Sequence, residues 1–337
     1  MGEKNHLGEF ELIERFFAPL SGEGGFGLKD DAALMKVSPG KALVVTQDAI
    51  AEPVHFLPGN PPETIARKAL RVNLSDLAAK GAVPTAFSLA LGLGDAWRED
   101  WLEGFARGLA EDCRTYGLTL SGGDTFRTGG GTVISITAWG EIDPAQYRSR
   151  LTARPGDRLF VTGTIGEGAL GLLAHTGKLP SLSAGTRDIL ERRYFVPEPP
   201  VSFAPLIAEF ASASMDISDG FVGDLEKLAT ASGFDVEVNV PDIPFSREVR
   251  EALDSGGVSP DRALESALSG GDDYQILFTV PESRVASFLE KAHKHSETGE
   301  NTLVTPLAVI RKGSGRVRVL GDNGEPLEFA ATSWRHF

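Results

Sequence analysis

A mixed α+β fold in two domains is predicted by three observations. The chain has 337 residues, enough for two domains or one large one. Strand-like and helix-like apolar patterns alternate along both halves, as layered sheets and helices require. Between Asp143 and Asp157 this periodicity lapses, and Pro144, Arg148, Arg150, Arg154 and Pro155 appear in its place. The boundary falls there, giving domains over residues 1–148 and 149–337.

In the first half, Phe10, Leu12, Ile13, Phe16 and Phe17 have helical spacing from Glu9 to Phe17. A glycine-rich loop, Ser21 to Gly27, comes next, read either as a segment that closes over a ligand or as a surface linker. Residues 33–37 and 42–45 read as strands, the second placing Thr46-Gln47-Asp48 at its end. Pro61-Pro62-Glu63-Thr64 opens a helix to about Gly81, with Asn73, Asp76 and Lys80 on one face and Leu70, Leu74 and Leu77 on the apolar one. A strand over 86–93, a helix over 97–116, a strand over 118–121 ending at Gly122-Gly123-Asp124 and a strand over 132–140 complete the domain. The second half opens with a strand over 158–163 and a helix over 167–175, then a Pro- and Ser-rich loop and a short helix before Pro197-Glu198-Pro199-Pro200. Strands over 214–217, 235–240 and 274–279, helices over 221–232 and 282–293, and strands near 303–310 and 317–320 follow.

Hydrophobic residues make up 41% and charged residues 24%, an ordinary globular composition. A net charge of −14 excludes nucleic acid or an anionic membrane surface as the main partner, because both need basic patches. No apolar stretch reaches membrane-spanning length. A single cysteine, Cys113, rules out an intrachain disulfide and fits a reducing compartment; it lies in a helical pattern and is expected to pack. The segment Met1–His6 has no secretory pattern, and His6 breaks the myristoylation motif that Met1-Gly2 opens. The cytoplasm is the expected compartment.

Six patches combine aspartate with small residues beside an apolar run: Asp30-Asp31-Ala32-Ala33, Thr46-Gln47-Asp48, Asn73-Leu74-Ser75-Asp76, Ser121-Gly122-Gly123-Asp124, Asp216-Ile217-Ser218-Asp219-Gly220 and Ser269-Gly270-Gly271-Asp272-Asp273-Tyr274. Each alone reads as a helix cap or a turn. Together, with few basic neighbours, they point to hard divalent cations as the missing partners, which would let an acidic protein hold phosphates. Two glycine motifs are weaker signals. Gly22-Glu23-Gly24-Gly25-Phe26-Gly27 precedes a strand and lacks the Lys-Ser/Thr of a phosphate loop. Gly166-Glu167-Gly168-Ala169-Leu170-Gly171 follows a strand, but no second strand with a terminal acid comes after it, so its glycines are expected to serve packing and a nicotinamide-linked oxidoreductase is the runner-up.

Phosphoryl transfer asks a protein for positioning and charge cancellation. Unit charges about 4 Å apart repel by roughly 1 kcal/mol even in water, and a triphosphate meeting a monophosphate multiplies that. A magnesium cluster held by Asp31, Asp48, Asp76, Asp124, Asp216 and Asp219 would offset it, and no Ser-His-Asp, Cys-His or zinc-like His set competes.

These patches, with Gly8-Glu9-Phe10-Glu11-Leu12-Ile13, His55-Phe56 and the terminal His336-Phe337, occur in the order that resembles the thiamine-monophosphate kinase family over essentially the whole chain. The resemblance implies ATP-dependent phosphorylation of thiamine monophosphate to thiamine diphosphate, by direct in-line transfer with several Mg2+ ions and no covalent nucleophile. It implies the two-domain aminoimidazole-ribonucleotide synthetase-like fold: an N-terminal α/β domain whose sheet forms a dimer barrel and binds ATP and magnesium, and a C-terminal α/β sandwich completing the metal and substrate site. A homodimer follows from it. Carried over by residue, Asp31, Thr46, Gln47 (through its backbone), Asp48, Asp76, Asp124, Asp216 and Asp219 bind metal. Gly123, Asp124, Arg150 and Ser218 contact nucleotide, and His55, Asp272 and Trp334 contact the thiamine side. The chain departs from the family in having Gly270-Gly271-Asp272-Asp273-Tyr274-Gln275 for Gly-Gly-Glu-Asp-Tyr-Glu, Lys29 for glycine and Lys80 for methionine. The competing functions are another ATP-dependent enzyme of the same superfamily with a different small acceptor, and a non-catalytic nucleotide-binding protein.

Overall fold

The computed structural model describes residues 8–94, 97–297 and 302–334. Met1–His6 and His336-Phe337 lie outside them. The chain divides into two compact units, residues 1–77 with 83–144 and residues 78–82 with 145–337.

The first unit begins with α1 (Glu9–Leu12), which continues in helical turns to Leu20 and buries Leu12, Phe16, Phe17 and Leu20. Residues 33–37 are irregular rather than the expected strand, since the Leu34 N–H donates to the Gly24 carbonyl instead of joining a ladder. The sheet comprises β1 (Ala42–Ala51), β2 (Val83–Leu93), β3 (Thr119–Arg127) and β4 (Val133–Ile142), with α2 (Pro62–Ala79) and α3 (Glu99–Tyr116) between. Its order is β1-β4-β2-β3: β4 is antiparallel to both neighbours, and α3 makes the crossover that the parallel β2–β3 pair needs. β1 pairs with β4 from Ala42↔Ile142 to Ala51↔Val133, so Asp48 lies inside the strand and not at its end. β3 likewise runs on through Gly122-Gly123-Asp124, because β2 pairs with it to Arg127. In both cases the partner strand extends the ladder past the apolar run that marks it in the sequence.

Along β4, Ile134, Ile136 and Ala138 are buried while Ser135, Thr137 and Trp139 are half-buried, the period-two pattern of a sheet covered on one face. Gly108 lets α3 approach α2 closely, since a Cβ there would lie 2.4 Å from the Glu63 carbonyl oxygen. Between the same helices Asp112 is fully buried and accepts from Arg71 Nε at 2.7 Å and Nη2 at 2.8 Å.

The second unit contains β5 (Arg158–Thr162), α4 (Glu167–His175), α5 (Ala184–Phe195), α6 (Ala204–Phe210), β6 (Ala213–Ile217), α7 (Phe221–Ser232), β7 (Phe234–Asn239), α8 (Arg247–Ser255), α9 (Pro260–Ser269), β8 (Gln275–Val280), α10 (Val285–Ser296), β9 (Val304–Val309), β10 (Arg311–Lys312) and β11 (Val317–Leu320). Its main sheet has the order β6-β8-β5-β9, antiparallel throughout, and a small sheet has β7 between β10 and β11. The main sheet is covered on both faces. Leu159, Val161, Ile217 and Leu277 enter one core with Leu170, Leu190 and Leu225, whereas Phe160, Ile276 and Phe278 enter another with Phe203, Phe210 and Phe288. Double coverage is why these strands read as unbroken apolar runs. The rings of Phe160 and Phe278 stack at 5.5 Å and Phe288 meets Phe160 edge-on at 5.2 Å, each pair worth about 1 kcal/mol beyond burial. Ser183, Ser246 and Ser259 cap α5, α8 and α9 by accepting from the N–H three residues on.

Candidate active site

In the first unit the predicted residues fall into two groups. Thr46 and Asp48 are two apart on β1, so their side chains share the face that α2 covers. There Thr46 Oγ1 donates to Asp76 Oδ2 in a short hydrogen bond, and the Asp48 N–H donates to Asn73 Oδ1 at 3.0 Å. Gln47 points the other way and donates through Nε2 to Ser135 Oγ at 3.2 Å.

The second group lines an open cleft of about 340 Å³ walled by Asp30, Asp31, Ala33, Ser88, Gly122–Thr125, Leu28 and Trp139. Asp31 and Asp124 are both exposed there. Gly123 accounts for part of the shape: a Cβ would lie 1.9 Å from the Leu89 carbonyl oxygen, so no other residue lets β3 pass that close. The glycine-rich loop forms one wall. It is tied to β3 by the Gly22 N–H on the Leu120 carbonyl at 3.4 Å, and Gly24 holds Leu34 at 2.8 Å.

Pairing register keeps the two groups apart. Asp124 is opposite Ala90, which is opposite Ser135, on one face; Asp48 is opposite Ile136, on the other, and at the sheet's edge it is itself exposed. Among the described residues no three His, Cys, Asp or Glu side chains form a ready metal cage. Carboxylates close enough for one would repel without the cation. Magnesium is held by one or two carboxylates together with substrate phosphates, and the exposed Asp31 and Asp124 in the cleft suit that mode. His55 sits in the turn after β1, where its Nδ1 accepts the Ala51 N–H at 3.1 Å.

In the second unit Asp216 is buried on β6, opposite Ile276 of β8. The turn after it is organised by Asp224, whose side chain is 1% exposed. Its Oδ2 accepts the N–H groups of Ser218, Asp219 and Gly220 at 3.0, 2.9 and 3.2 Å. Lys227 Nζ bridges Asp219 Oδ2 at 2.6 Å and Asp224 Oδ1 at 2.8 Å. Burial raises the Asp224 carboxyl above its usual range, against the pull of Lys227.

Asp272 and Trp334 converge on that turn. The Asp272 N–H donates to the Ser218 carbonyl at 2.9 Å, and the Trp334 N–H donates to the Asp219 carbonyl at 2.9 Å. Tyr274 Oη donates to Asp272 Oδ1 at 3.0 Å. Ser218, Asp219, Asp272 and Trp334, chosen from distant parts of the sequence, are thus neighbours. Arg150 is exposed, and its carbonyl accepts from Ser232 Oγ at 2.7 Å.

Residues 29–142 match the family model described as AIR synthase related protein, N-terminal domain, and residues 154–300 match its C-terminal domain. The thiamine-monophosphate kinase of Caulobacter vibrioides is 40% identical over 298 residues, 87% of this chain and 83% of its own. The chain belongs to the thiamine-monophosphate kinase family. Among solved structures, that of the thiamine-monophosphate kinase from Stenotrophomonas maltophilia K279a is 34% identical with a TM-score of 0.76, covering 89% of this chain and 91% of its own. That of AaThiL complexed with AMPPCP and TMP is 30% identical with a TM-score of 0.76, covering 100% of both chains.

Two of the departures from the thiamine-monophosphate kinase pattern have structural partners. Gln275 accepts from Thr162 Oγ1 at 3.0 Å and donates to the Glu198 carbonyl at 3.2 Å, so its neutral amide ties β8 to its surroundings. Lys80, one residue past α2 and not on its face, donates to the Ser214 carbonyl at 2.7 Å. The Gly166–Gly171 motif packs, as expected for its glycines. Cβ atoms at Gly168 and Gly171 would lie 2.3 Å from the Asp272 carbonyl oxygen and 2.2 Å from that of Leu190.

Sequence reasoning missed Asp224 and Lys227, and it gave no role to Asp273 within its patch. An acid in the first turn of a helix that follows Ser-Asp-Gly, with a lysine three residues later, is the signal for the first two. For Asp273 the only signal is its place beside Asp272.

Proposed function

We propose that this chain transfers the γ-phosphoryl group of ATP to the phosphate of thiamine monophosphate, forming thiamine diphosphate and ADP. The observation that carries the reading is 40% identity to a thiamine-monophosphate kinase across 87% of the chain, and the fold common to AaThiL complexed with AMPPCP and TMP supports it. The acceptor is already an anionic oxygen, so no general base is required. What the reaction demands is alignment of two anions that repel each other.

The finer assignments belong to the same proposal. The cleft at Gly123 and Asp124 takes the nucleotide, with Ser218 and Arg150 as further contacts. Asp31, Thr46, Gln47, Asp48, Asp76, Asp124, Asp216 and Asp219 hold magnesium together with the phosphates. The bound ions would supply charge neutralisation of the phosphates. Asp272, Trp334 and His55 receive the thiamine side: a carboxylate and an indole suit a cationic thiazolium. Residues 1–148 act as the nucleotide and dimerisation domain and 149–337 as the domain that completes the metal and substrate site. We also propose a cytoplasmic homodimer formed through the first sheet. β1 is an edge strand whose Val45 is 56% exposed, the kind of surface that a second copy covers.

The test is a coupled assay with ATP, magnesium and thiamine monophosphate. Thiamine diphosphate should form, and its formation should require magnesium. Folded protein that yields none at millimolar substrates would overturn the assignment.

A further inference from the structure

The loop Gly270–Tyr274 takes a backbone path that its sequence resists. Asp272 has φ of +65° and Tyr274 of +52°, the left-handed region that strains a residue with a side chain. Such a conformation persists only where the surroundings impose it. On one side, the Asp272 and Tyr274 N–H groups donate to the carbonyls of Ser218 and Ile217 at 2.9 and 2.8 Å. On the other, the fully buried Asp273 side chain reaches the start of α4, where Oδ2 accepts the Gly166 N–H at 2.8 Å and Oδ1 the Gly168 N–H at 3.1 Å. Gly168 lies so close to the loop that a Cβ would meet the Asp272 carbonyl. The N–H groups that a dinucleotide phosphate would use at such a helix start are therefore taken by an internal carboxyl group.

We propose that Asp273 is a positioning residue for substrate: it latches the loop to α4 and thereby fixes where the Asp272 carboxylate stands. The proposal rests on the assignment of Asp272 to the thiamine side. Asp273 touches no substrate; it acts through its neighbour. Both of its oxygens face N–H donors. With or without its proton a carboxyl group can accept at both oxygens, because the hydroxyl oxygen keeps a lone pair. The NH2 of an asparagine would instead face one N–H donor with another, so one side of the latch opens. Tyr274 then loses its fixed backbone, and with it the hydroxyl that orients Asp272.

The experiment is a double-mutant cycle on the full-length enzyme, with KM measured separately for thiamine monophosphate and ATP and with amide exchange followed at Gly166, Gly168 and Asp272. Asp273→Asn is expected to raise KM for thiamine monophosphate at least tenfold, to change KM for ATP less than twofold and to speed exchange at those amides. In the Asp272→Ala background the same substitution should add less than twofold, because its effect passes through Asp272. Gly168→Ala, which displaces the loop without altering a charge, should reproduce the selective KM effect and covers the case in which Asp273→Asn folds poorly. Equal effects on both KM values, full additivity with Asp272→Ala, or unchanged exchange would each overturn the latch. A loosened loop beside an Asp272→Ala enzyme with unchanged KM would instead strike the substrate role of Asp272, and the proposal would fall by that separate route.

Discussion

Asp30-Asp31 and Asp272-Asp273 are the same dipeptide in two surroundings. In the first unit both carboxylates line an open cleft, and the hydrogen bond within the pair is local, from the Asp31 N–H to Asp30 Oδ1 at 2.8 Å. In the second unit Asp272 is half-buried and accepts from Tyr274 two residues on, while Asp273 is buried and accepts from the start of α4. An exposed carboxylate costs the fold nothing and remains available to a ligand. A buried one must be satisfied from within, and it repays that requirement by fixing backbone. Asp124 and Asp224 repeat the contrast, one exposed in the cleft and one closed around three N–H groups and a lysine. Acidic residues of this chain thus divide into those left open to solvent and those that fix the backbone of loops.

The contrast breaks first at Asp31. Asp31→Asn is expected to lower turnover about a thousandfold, roughly 4 kcal/mol of transition-state stabilisation. Its melting temperature should stay within about 1 °C of wild type, since surface substitutions change stability by less than about 0.5 kcal/mol. Steady-state kinetics and calorimetry on one preparation check both halves; a large loss of stability would place Asp31 in the other class. Asp224→Asn should behave in the opposite sense. Removing one partner of a buried charge network costs about 3 kcal/mol, so the urea midpoint should fall clearly. Turnover should fall as well, because the Ser218-Asp219-Gly220 turn loses its acceptor. A stable, fully active Asp224→Asn enzyme would show that the turn holds itself.

How much of this was legible in the sequence follows the same division. Acids beside small residues announce themselves, so Asp31, Asp48, Asp124, Asp216 and Asp219 were found from pattern and resemblance. Asp224, outside any such patch, was not, and Asp273 lay inside one without a role, because only the fold shows what a satisfied buried acid accepts. Among elements, amphipathic α2 and α3 and the apolar strands of the second unit were read within a few residues. The strand expected over 33–37 failed because a short apolar run, here Ala-Leu-Met-Lys-Val, forms no strand without a partner to pair with. β1 and β3 ran past their apolar stretches because pairing with β4 and β2 overrides the weak propensity of Gln, Asp and Gly. α6, α8 and α9 had no assignment: α6 is a seven-residue, nearly all-apolar segment without a helical period, and α8 and α9 have few apolar positions, although Ser246 and Ser259 mark their starts.

The smallest effect sharpens the comparison on the buried side. Burial pushes the Asp273 carboxyl up to about 8, against the pull of the Gly166 and Gly168 N–H groups, from the ordinary 3.8. The folded chain therefore holds a proton that the unfolded chain has released throughout that window. Folding takes up a proton there, so stability falls as pH rises from about 4 to about 8, and the loss is complete above it. From pH 6.5 to pH 9 the predicted loss is about 2 kcal/mol, from about 1.5 units below the shifted value at 1.36 kcal/mol each. Denaturant unfolding at the two pH values measures it, and Asp273→Asn isolates it, because the amide cannot ionise. The wild-type midpoint should drop more than that of the variant. Parallel drops would mean that Asp273 is ionised throughout, with its two N–H partners outweighing the cost of burial, and the two aspartate pairs would then differ in exposure but not in charge.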